Sequence, residues 1–223
     1  MPPTLTQRAV ISLRDLGPRR SLETVFNHWS DVLFDAAHGT DTYKRVLQSE
    51  LRVDSVNQSE AAPYFPTRGR AFRKAMASFD IPKDGTLVDL GSGKGKILLL
   101  AAQCGFKRVR GVEFSADLAR IADANVQRMR GKLGAADVQT ICADVTTHQF
   151  ASDENVFFMF APFGPTVMRQ TMSNLRDSLE KDPRRIWIIY TLPRLLDLVT
   201  TQLPVQRKAT YVYGGHEFAL LTN

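Results

Sequence analysis

The sequence predicts a doubly wound α/β fold, in which a seven-stranded, mostly parallel sheet carries a helical N-terminal cap. Two observations lead to this prediction. From Thr86 onward, short apolar runs alternate with segments of helical period, which is typical of a parallel sheet with helical crossovers. The first apolar run, residues 86–90, enters a loop with glycine at positions 91, 93 and 95 and leaves it as an apolar helix. Because such sheets bind ligands at the carboxyl ends of their strands, we expect the functional site at this loop.

Segments of helical period also precede the sheet. Apolar side chains recur there three or four positions apart, and Thr40 or Asp41 can cap the second of these segments. The predicted elements before the sheet are helices over residues 21–36, from Thr40 or Asp41 to Leu51 and from Thr67 onward, with a loop over residues 53–62. We therefore expect residues 1–62 to form a helical extension or cap, and residues 63–223 to form the main domain.

The alternation that begins at Thr86 contains seven strands and four helices. The predicted strands are residues 86–90, 108–113, 138–142, 156–160, 185–190, 207–213 and 217–222. The predicted helices between them are residues 94–104, 116–130, 166–181 and 194–201. Gly214 and Gly215 separate the last two strands, and this pair predicts a hairpin turn.

The composition narrows the class of protein. Apolar residues make up 43% and charged residues 23% of the 223 positions, as in ordinary globular proteins. No apolar run approaches the roughly 20 residues needed to cross a bilayer, and the N-terminus has no signal-peptide core, so we expect a cytoplasmic protein without a membrane partner. The two cysteines lack the spacing of metal ligands, and no metal site is predicted. The net charge of +6 permits a nucleic-acid partner without identifying one.

The glycine loop decides between three kinds of cofactor. A dinucleotide fingerprint needs glycine where Lys96 stands, and a nucleotide P-loop needs serine or threonine where Ile97 stands. The third candidate is S-adenosylmethionine (SAM). Asp89 lies just before the glycines, and its carboxylate suits a cofactor that carries positive charge.

At these positions the chain resembles the class I SAM-dependent methyltransferases. The segment Asp89-Leu90-Gly91-Ser92-Gly93-Lys94-Gly95 matches their motif of an acidic residue, an apolar residue and a Gly-x-Gly-x-Gly loop. Acidic residues also end the second and third strands, at Glu113 and Asp144, and Phe160-Ala161-Pro162-Phe163-Gly164 ends the fourth. The resemblance implies the strand order 3-2-1-4-5-7-6, SAM as the cofactor, ribose contacts from Glu113 and adenine contacts near Asp144.

One branch of that family is most similar: small bacterial methyltransferases related to the non-SET histone-lysine and mitochondrial lysine enzymes. Pro63-Tyr64-Phe65-Pro66-Thr67 resembles the loop that these relatives fold over the methionine end of SAM. The cofactor contacts that the resemblance implies are Tyr64, Thr67, Asp89, Gly91, Ser92, Gly93, Gly95, Glu113, Phe114, Asp144 and Phe160. The implied acceptor-site candidates are Tyr64, Ala161, Pro162 and Phe163.

The methyl acceptor stays open at this stage. Many relatives that methylate amines carry Asp or Asn where this chain has Ala161, so the side chain that would hold an amine is missing. We expect a protein lysine first, with a small molecule as the alternative. An RNA substrate and a SAM-binding module without catalysis are two further alternatives. No histidine is placed clearly enough to predict a general base, and the basic cluster Arg68, Arg70, Arg73 and Lys74 is either a solvated helix face or a patch for an acidic substrate.

Overall fold

A computed structural model describes residues 26–47, 64–213 and 215–223 of the chain. Its centre is a seven-stranded sheet in the order β3-β2-β1-β4-β5-β7-β6, which confirms the predicted fold class and strand order. The strands are β1 Thr86–Leu90, β2 Arg108–Glu113, β3 Asp137–Cys142, β4 Glu154–Phe160, β5 Trp187–Thr191, β6 Gln206–Tyr213 and β7 His216–Thr222. The first five strands pair in parallel, whereas β7 runs antiparallel to both of its neighbours, β5 and β6.

Helices cover both faces of this sheet. They are α1 at residues 26–38, α2 Gly69–Ser78, α3 Lys96–Gln103, α4 Ala116–Met129, α5 Pro165–Lys181 and α6 Leu196–Gln202. Two short 3₁₀ turns, Arg130–Lys132 and Val145–Thr147, follow α4 and β3. From Thr86 onward, every predicted boundary lies within two residues of the observed one.

The core consists of two apolar layers, one on each face of the sheet. Consecutive residues of a strand point to opposite faces, so Leu87 of β1 packs in the layer under α2 and α3, whereas Val88 packs in the layer under α5. All five residues of β1 are buried for this reason. The continuous apolar run that predicted β1 therefore reflects burial on both faces.

The predicted second N-terminal helix is wrong over the residues that the structure describes. The chain from Gly39 to Leu47 is irregular, and Val46 makes an isolated antiparallel bridge with Tyr64. The Asp35 carboxylate accepts hydrogen bonds from Thr40 Oγ1, from Thr42 Oγ1 and N, and from Tyr43 N, at 2.6–2.8 Å. These bonds hold the donors in a turn around one carboxylate, which competes with helix formation.

Several predictions concern residues outside the described ranges. They are the helix over residues 21–25, the predicted continuation to Leu51, the loop over residues 53–62 and Gly214 of the hairpin turn. The neighbouring Gly215 has a φ of 79°, in the left-handed region that tight turns require. In the part of the chain that the structure describes, no helix has the length and apolar character needed to cross a membrane.

Candidate active site

A cavity of about 460 Å³ lies at the carboxyl ends of β1 to β5, the edge at which the sequence predicts the site. The predicted site residues that line it are Tyr64, Thr67, Asp89, Gly91, Ser92, Gly93, Glu113, Phe114, Asp144, Phe160, Ala161, Pro162 and Phe163. Gly95 is the one predicted site residue that does not line it. An added Cβ at Gly95 would meet Ala122 of α4 at 3.0 Å, so this glycine serves the packing of α3 against α4.

The glycine loop exposes backbone to the cavity. Gly91 and Gly93 have φ values of 86° and 54°, a conformation that side chains rarely adopt. Gly91 N and Ser92 N both donate to the Val112 carbonyl, at 2.9 and 3.0 Å, and so fix the loop to the end of β2. A Cβ on Gly93 would come within 2.3 Å of the Tyr64 ring. Glycine is therefore required here both by backbone conformation and by the close approach of the ring.

Glu113 at the end of β2 is held by the loop that it faces. Its Oε2 accepts from Gly93 N at 2.8 Å, and its Oε1 accepts from Ser115 N at 2.9 Å. Burial raises the pKa of this carboxyl, while the backbone N–H donors act in the opposite direction. Each oxygen keeps a second lone pair, so the side chain can accept two further hydrogen bonds from a ligand with neighbouring hydroxyl groups.

Asp89 is a buried carboxylate, only 2% exposed, at the end of β1. Among the residues that the structure describes it has no hydrogen-bond partner, although it lines the cavity. Burial raises the pKa of Asp89 well above its usual range, and the nearby Glu113 carboxylate adds to the increase. A buried carboxylate without a donor is costly unless a ligand supplies one, so this position suits a cationic group or a strong donor.

Asp144 has a structural role in addition to lining the cavity. Its Oδ1 accepts from Thr146 N at 2.9 Å and from Thr146 Oγ1 at 2.7 Å, which caps the short helix that begins at Val145. Ala143 N donates to the Glu113 carbonyl at 3.0 Å, so the ends of β2 and β3 stay together. Phe114 and Phe160 complete this part of the wall.

The two lysines of the glycine loop bind the N-terminal segment, a role that the sequence did not reveal. Lys94 Nζ contacts both carboxylate oxygens of Asp41 at 2.9 Å. Lys96 Nζ contacts Asp31 Oδ1 at 2.6 Å, and both side chains of that pair are almost fully buried. Burial lowers the pKa of Lys96, and the Asp31 carboxylate opposes that shift. The loop thus anchors α1 and the turn that follows it.

Asp31 also organises the segment before α2. It accepts from Gly69 N at 3.1 Å and from Arg68 at 3.3 Å. Tyr64 is fixed by the turn after α1, because its hydroxyl donates to the Thr42 carbonyl at 2.7 Å. Burial, together with the charge of Asp35, raises the pKa of Tyr64 well above its usual range, which keeps the phenol a donor.

These contacts bring Tyr43 and Arg45 to the cavity, and neither was predicted to line it. Arg68, which contacts Tyr43, lies 25 residues away in the sequence, and Phe65, which contacts Arg45, lies 20 residues away, so no local pattern indicates the arrangement. The remaining wall comes from the loops after β4 and β5 and from the start of β7, through Leu192, Arg194 and His216.

The four histidines have different surroundings. His28 bonds to the Tyr43 hydroxyl, His38 to the Phe34 carbonyl at 2.8 Å, and His148 to Glu154 at 3.1 Å. His216 alone lines the cavity, 6.0 Å from the Phe160 ring centre, and its buried Nδ1 has no partner among the described residues. Burial lowers the pKa of His216, and the charge of Arg68 adds to that effect.

The basic cluster on α2 is partnered within the molecule. Arg70 lies over the Phe26 ring at 4.4 Å, Lys74 over the Tyr213 ring at 4.3 Å, and Arg73 donates to Gln103 at 3.0 Å. Lys74 is exposed and the Arg73–Gln103 hydrogen bond lies at the surface, so this face of α2 is in contact with solvent.

Comparison with known proteins identifies the class. The sequence model of the family described as histone methylation protein DOT1 matches residues 64–160, somewhat less than half of the chain. A comparison with curated proteins finds no match.

Three solved structures share the fold. An RNA methyltransferase from Salinibacter ruber, in complex with S-adenosyl-L-homocysteine (SAH), is 23% identical with a TM-score of 0.51, and covers 70% of this chain and 92% of its own. A ribosomal protein L11 methylase from Lactobacillus delbrueckii subsp. bulgaricus is 15% identical with a TM-score of 0.52, covering 81% and 90%. The PH0226 protein of Pyrococcus horikoshii OT3 is 18% identical with a TM-score of 0.54, covering 70% and 89%. At these identities the likeness concerns the fold.

The family match and the shared fold together confirm the predicted class. The chain is a SAM-dependent methyltransferase with a class I fold. The residues present at the cavity fit SAM, the cofactor of this class: Asp89 has no donor among the described residues, Glu113 has lone pairs to spare, and Gly93 offers bare backbone.

Proposed function

We propose that this chain methylates a small-molecule acceptor, and that the residues named above hold SAM along the ends of β1 to β3. The observation that carries the proposal is the pairing of Glu113 with Gly93 beside the unpartnered Asp89, in a cavity of about 460 Å³. When bound, SAM supplies a methyl group on a positively charged sulfur. Transfer would form a bond from the acceptor's lone pair to the methyl carbon and would leave the electrons of the carbon–sulfur bond on sulfur.

Each side chain has a separate task in this proposal. Glu113 accepts from the two ribose hydroxyls with the lone pairs that Gly93 and Ser115 leave free. Asp89 faces the cationic methionine end, with Gly91, Ser92 and Gly93 as backbone contacts. The assignment of adenine to the wall near Asp144 and Phe114, and of methionine to Tyr64 and Thr67, follows the family resemblance. Holding the reactants at contact distance can contribute roughly 7–11 kcal/mol of barrier reduction.

The acceptor is assigned to the opposite wall, formed by Phe160, Ala161, Pro162 and Phe163. A protein lysine, which the sequence led us to expect first, becomes the second candidate, and the match to a family described by histone methylation supports it. The small molecule is favoured because Ala161 supplies no side-chain acceptor for an amine. The N-terminal cap is part of the proposal, since Tyr43 and Arg45 of the segment before Leu47 line the same cavity.

The test is ligand-induced thermal stabilisation with SAH, with NAD as the control ligand. At about 100 times the dissociation constant, SAH should stabilise the protein by roughly 2.7 kcal/mol, or about 5–10 °C for a chain of this size. NAD should give no shift. A shift with NAD alone would contradict the cofactor assignment, and a SAH shift that is as large in Glu113→Ala as in the natural chain would contradict the ribose assignment.

A further inference from the structure

Charges are segregated within the cavity. Its carboxylates, Asp89, Glu113 and Asp144, all stand at the ends of β1, β2 and β3. The wall on the acceptor side is made by the loops after β4 and β5 and by five residues of the N-terminal segments: Tyr43, Arg45, Phe65, Pro66 and Arg68. Among the described residues that line this acceptor wall, none is acidic, whereas three are arginines: Arg45, Arg68 and Arg194. An ammonium acceptor would find no counterion there, and it would also be repelled by a cationic sulfonium.

Two of these arginines are available to a ligand. Arg68 is already engaged by the buried Asp31 carboxylate at 3.3 Å, which it shares with Lys96. Arg45 and Arg194 are exposed, and neither forms an ion pair with any acid in the described ranges. The Arg45 guanidinium lies 4.8 Å from the centre of the Phe65 ring, which holds it at the cavity without satisfying its charge.

A tight backbone turn places Arg194 at this wall. Its N–H donates to the Leu192 carbonyl at 2.7 Å, and Leu192 has a φ of 50°, which a branched side chain rarely adopts. This tight turn directly after β5 brings Arg194 to the cavity instead of continuing the strand. His216 adds a further polar group without negative charge. Its imidazole lies near Arg68, and its buried Nδ1 has no partner among the described residues.

We propose that the acceptor is an anionic small molecule, whose carboxylate or phosphate group is held by Arg45 and Arg194 and whose apolar body packs on Phe65, Phe160 and Phe163. The inference rests on the proposed function and names the substrate class of the same site. Guanidinium groups match carboxylates and phosphates with paired hydrogen bonds. An anion is also attracted by the positive charge of the cofactor's sulfonium, so the arginines and the cofactor both favour an anionic acceptor.

The experiment compares three probes that share one aromatic ring: benzoate, phenyl phosphate and benzylamine. Each is titrated by calorimetry into the full chain saturated with SAH. The variants are Arg45→Gln and Arg194→Gln, and the matched control is Arg120→Gln, whose side chain is 79% exposed on α4 and does not line the cavity. We expect benzoate or phenyl phosphate to bind and benzylamine not to bind. Each cavity variant should weaken the anion about tenfold or more, while the control variant binds as the natural chain does.

The outcomes separate the inference from the function on which it rests. Benzylamine binding as tightly as the anions, absence of anion binding, or anion binding unchanged in both cavity variants would each overturn the anionic class. Displacement of the bound anion by a short RNA would overturn the small-molecule assignment. SAH binding is measured first in the same samples. If SAH does not bind, the proposed function fails, and the same probe series on the SAH-free chain still decides whether Arg45 and Arg194 form an anion site.

Discussion

Substituting Asp89 by asparagine should change stability and cofactor affinity in opposite directions. The side chain is 2% exposed at the end of β1 and has no donor among the described residues. Asparagine keeps the size, removes the charge and replaces one acceptor oxygen by an amide NH2 donor. Without a ligand the substitution therefore relieves the burial of a carboxylate, whereas with SAM it removes the partner for a cationic group.

The magnitude follows from the cost of a buried, unpartnered charge. Leaving such a group unsatisfied costs about 1–3 kcal/mol, so the Asp89→Asn variant should unfold about 2–12 °C higher at pH 8. The gain depends on pH because burial raises the pKa of Asp89 in the folded chain. The pKa of Asp89 is about 3.9 in the unfolded chain and higher in the folded chain. As far as this group is concerned, the folded protein is therefore most stable below about pH 3.9, where the carboxyl is protonated, and loses stability as the pH rises through the folded-state pKa. The advantage of asparagine should thus vanish near pH 4 and grow toward pH 8.

Two measurements test this reasoning. Thermal unfolding from pH 4 to pH 8 gives the stability difference, and calorimetry at pH 8 gives the affinity for SAM, which should fall about tenfold to hundredfold. The control is Asp117→Asn, whose carboxylate is 42% exposed and paired with Arg120 on α4. A ligand-free Asp89→Asn variant less stable than the natural chain at pH 8, or one that binds SAM equally well, would refute the argument.

Three other substitutions have defined outcomes. Glu113→Ala should weaken SAM binding by about 1–3 kcal/mol, because it removes a charged hydrogen-bond acceptor; calorimetry on the folded variant checks this. Gly93→Val should abolish SAH-induced stabilisation, since its side chain meets the Tyr64 ring at 2.3 Å and its backbone must keep a φ of 54°; a retained thermal shift would exclude the loop as the cofactor seat. Lys96→Met leaves the buried Asp31 without its closest cation and should cost about 3–5 kcal/mol, whereas the double variant with Asp31→Leu should recover much of that loss. Urea unfolding of the two single variants and the double variant measures the coupling, and additive losses would contradict it.

The strands were predictable because their signal is local. β1 is buried on both faces, so its residues form an unbroken apolar run, and the glycines after it mark the turn into α3. Glu113 at the end of β2 was also recognisable from a local signal, namely its spacing along the sequence from the glycine loop. Such features can be read from a sequence when residues that are close along the chain are also in contact in the folded protein.

The other half of the site depends on contacts between distant segments. The pair Lys96–Asp31 joins positions 65 residues apart, and nothing around either residue indicates the other. The wrong helix after Thr40 has a similar origin: capping residues and apolar spacing favoured a helix, but the donors converge on Asp35 instead. Gly95 was predicted as a ligand contact because it shares a motif with Gly93, and its packing against Ala122 could not be seen in the sequence.

The position of β7 constrains the order in which the chain can assemble during synthesis. β7 lies between β5 and β6, so β6 has no partner in the sheet until the last strand has left the ribosome. The ends of β1, β2 and β3, with Asp89 and Glu113, are translated much earlier, at about 5–20 residues per second. His216 begins β7 and belongs to the acceptor wall. A nascent chain can therefore present the strand ends with Asp89 and Glu113 before the last parts of the cavity wall, Arg194 and His216, exist.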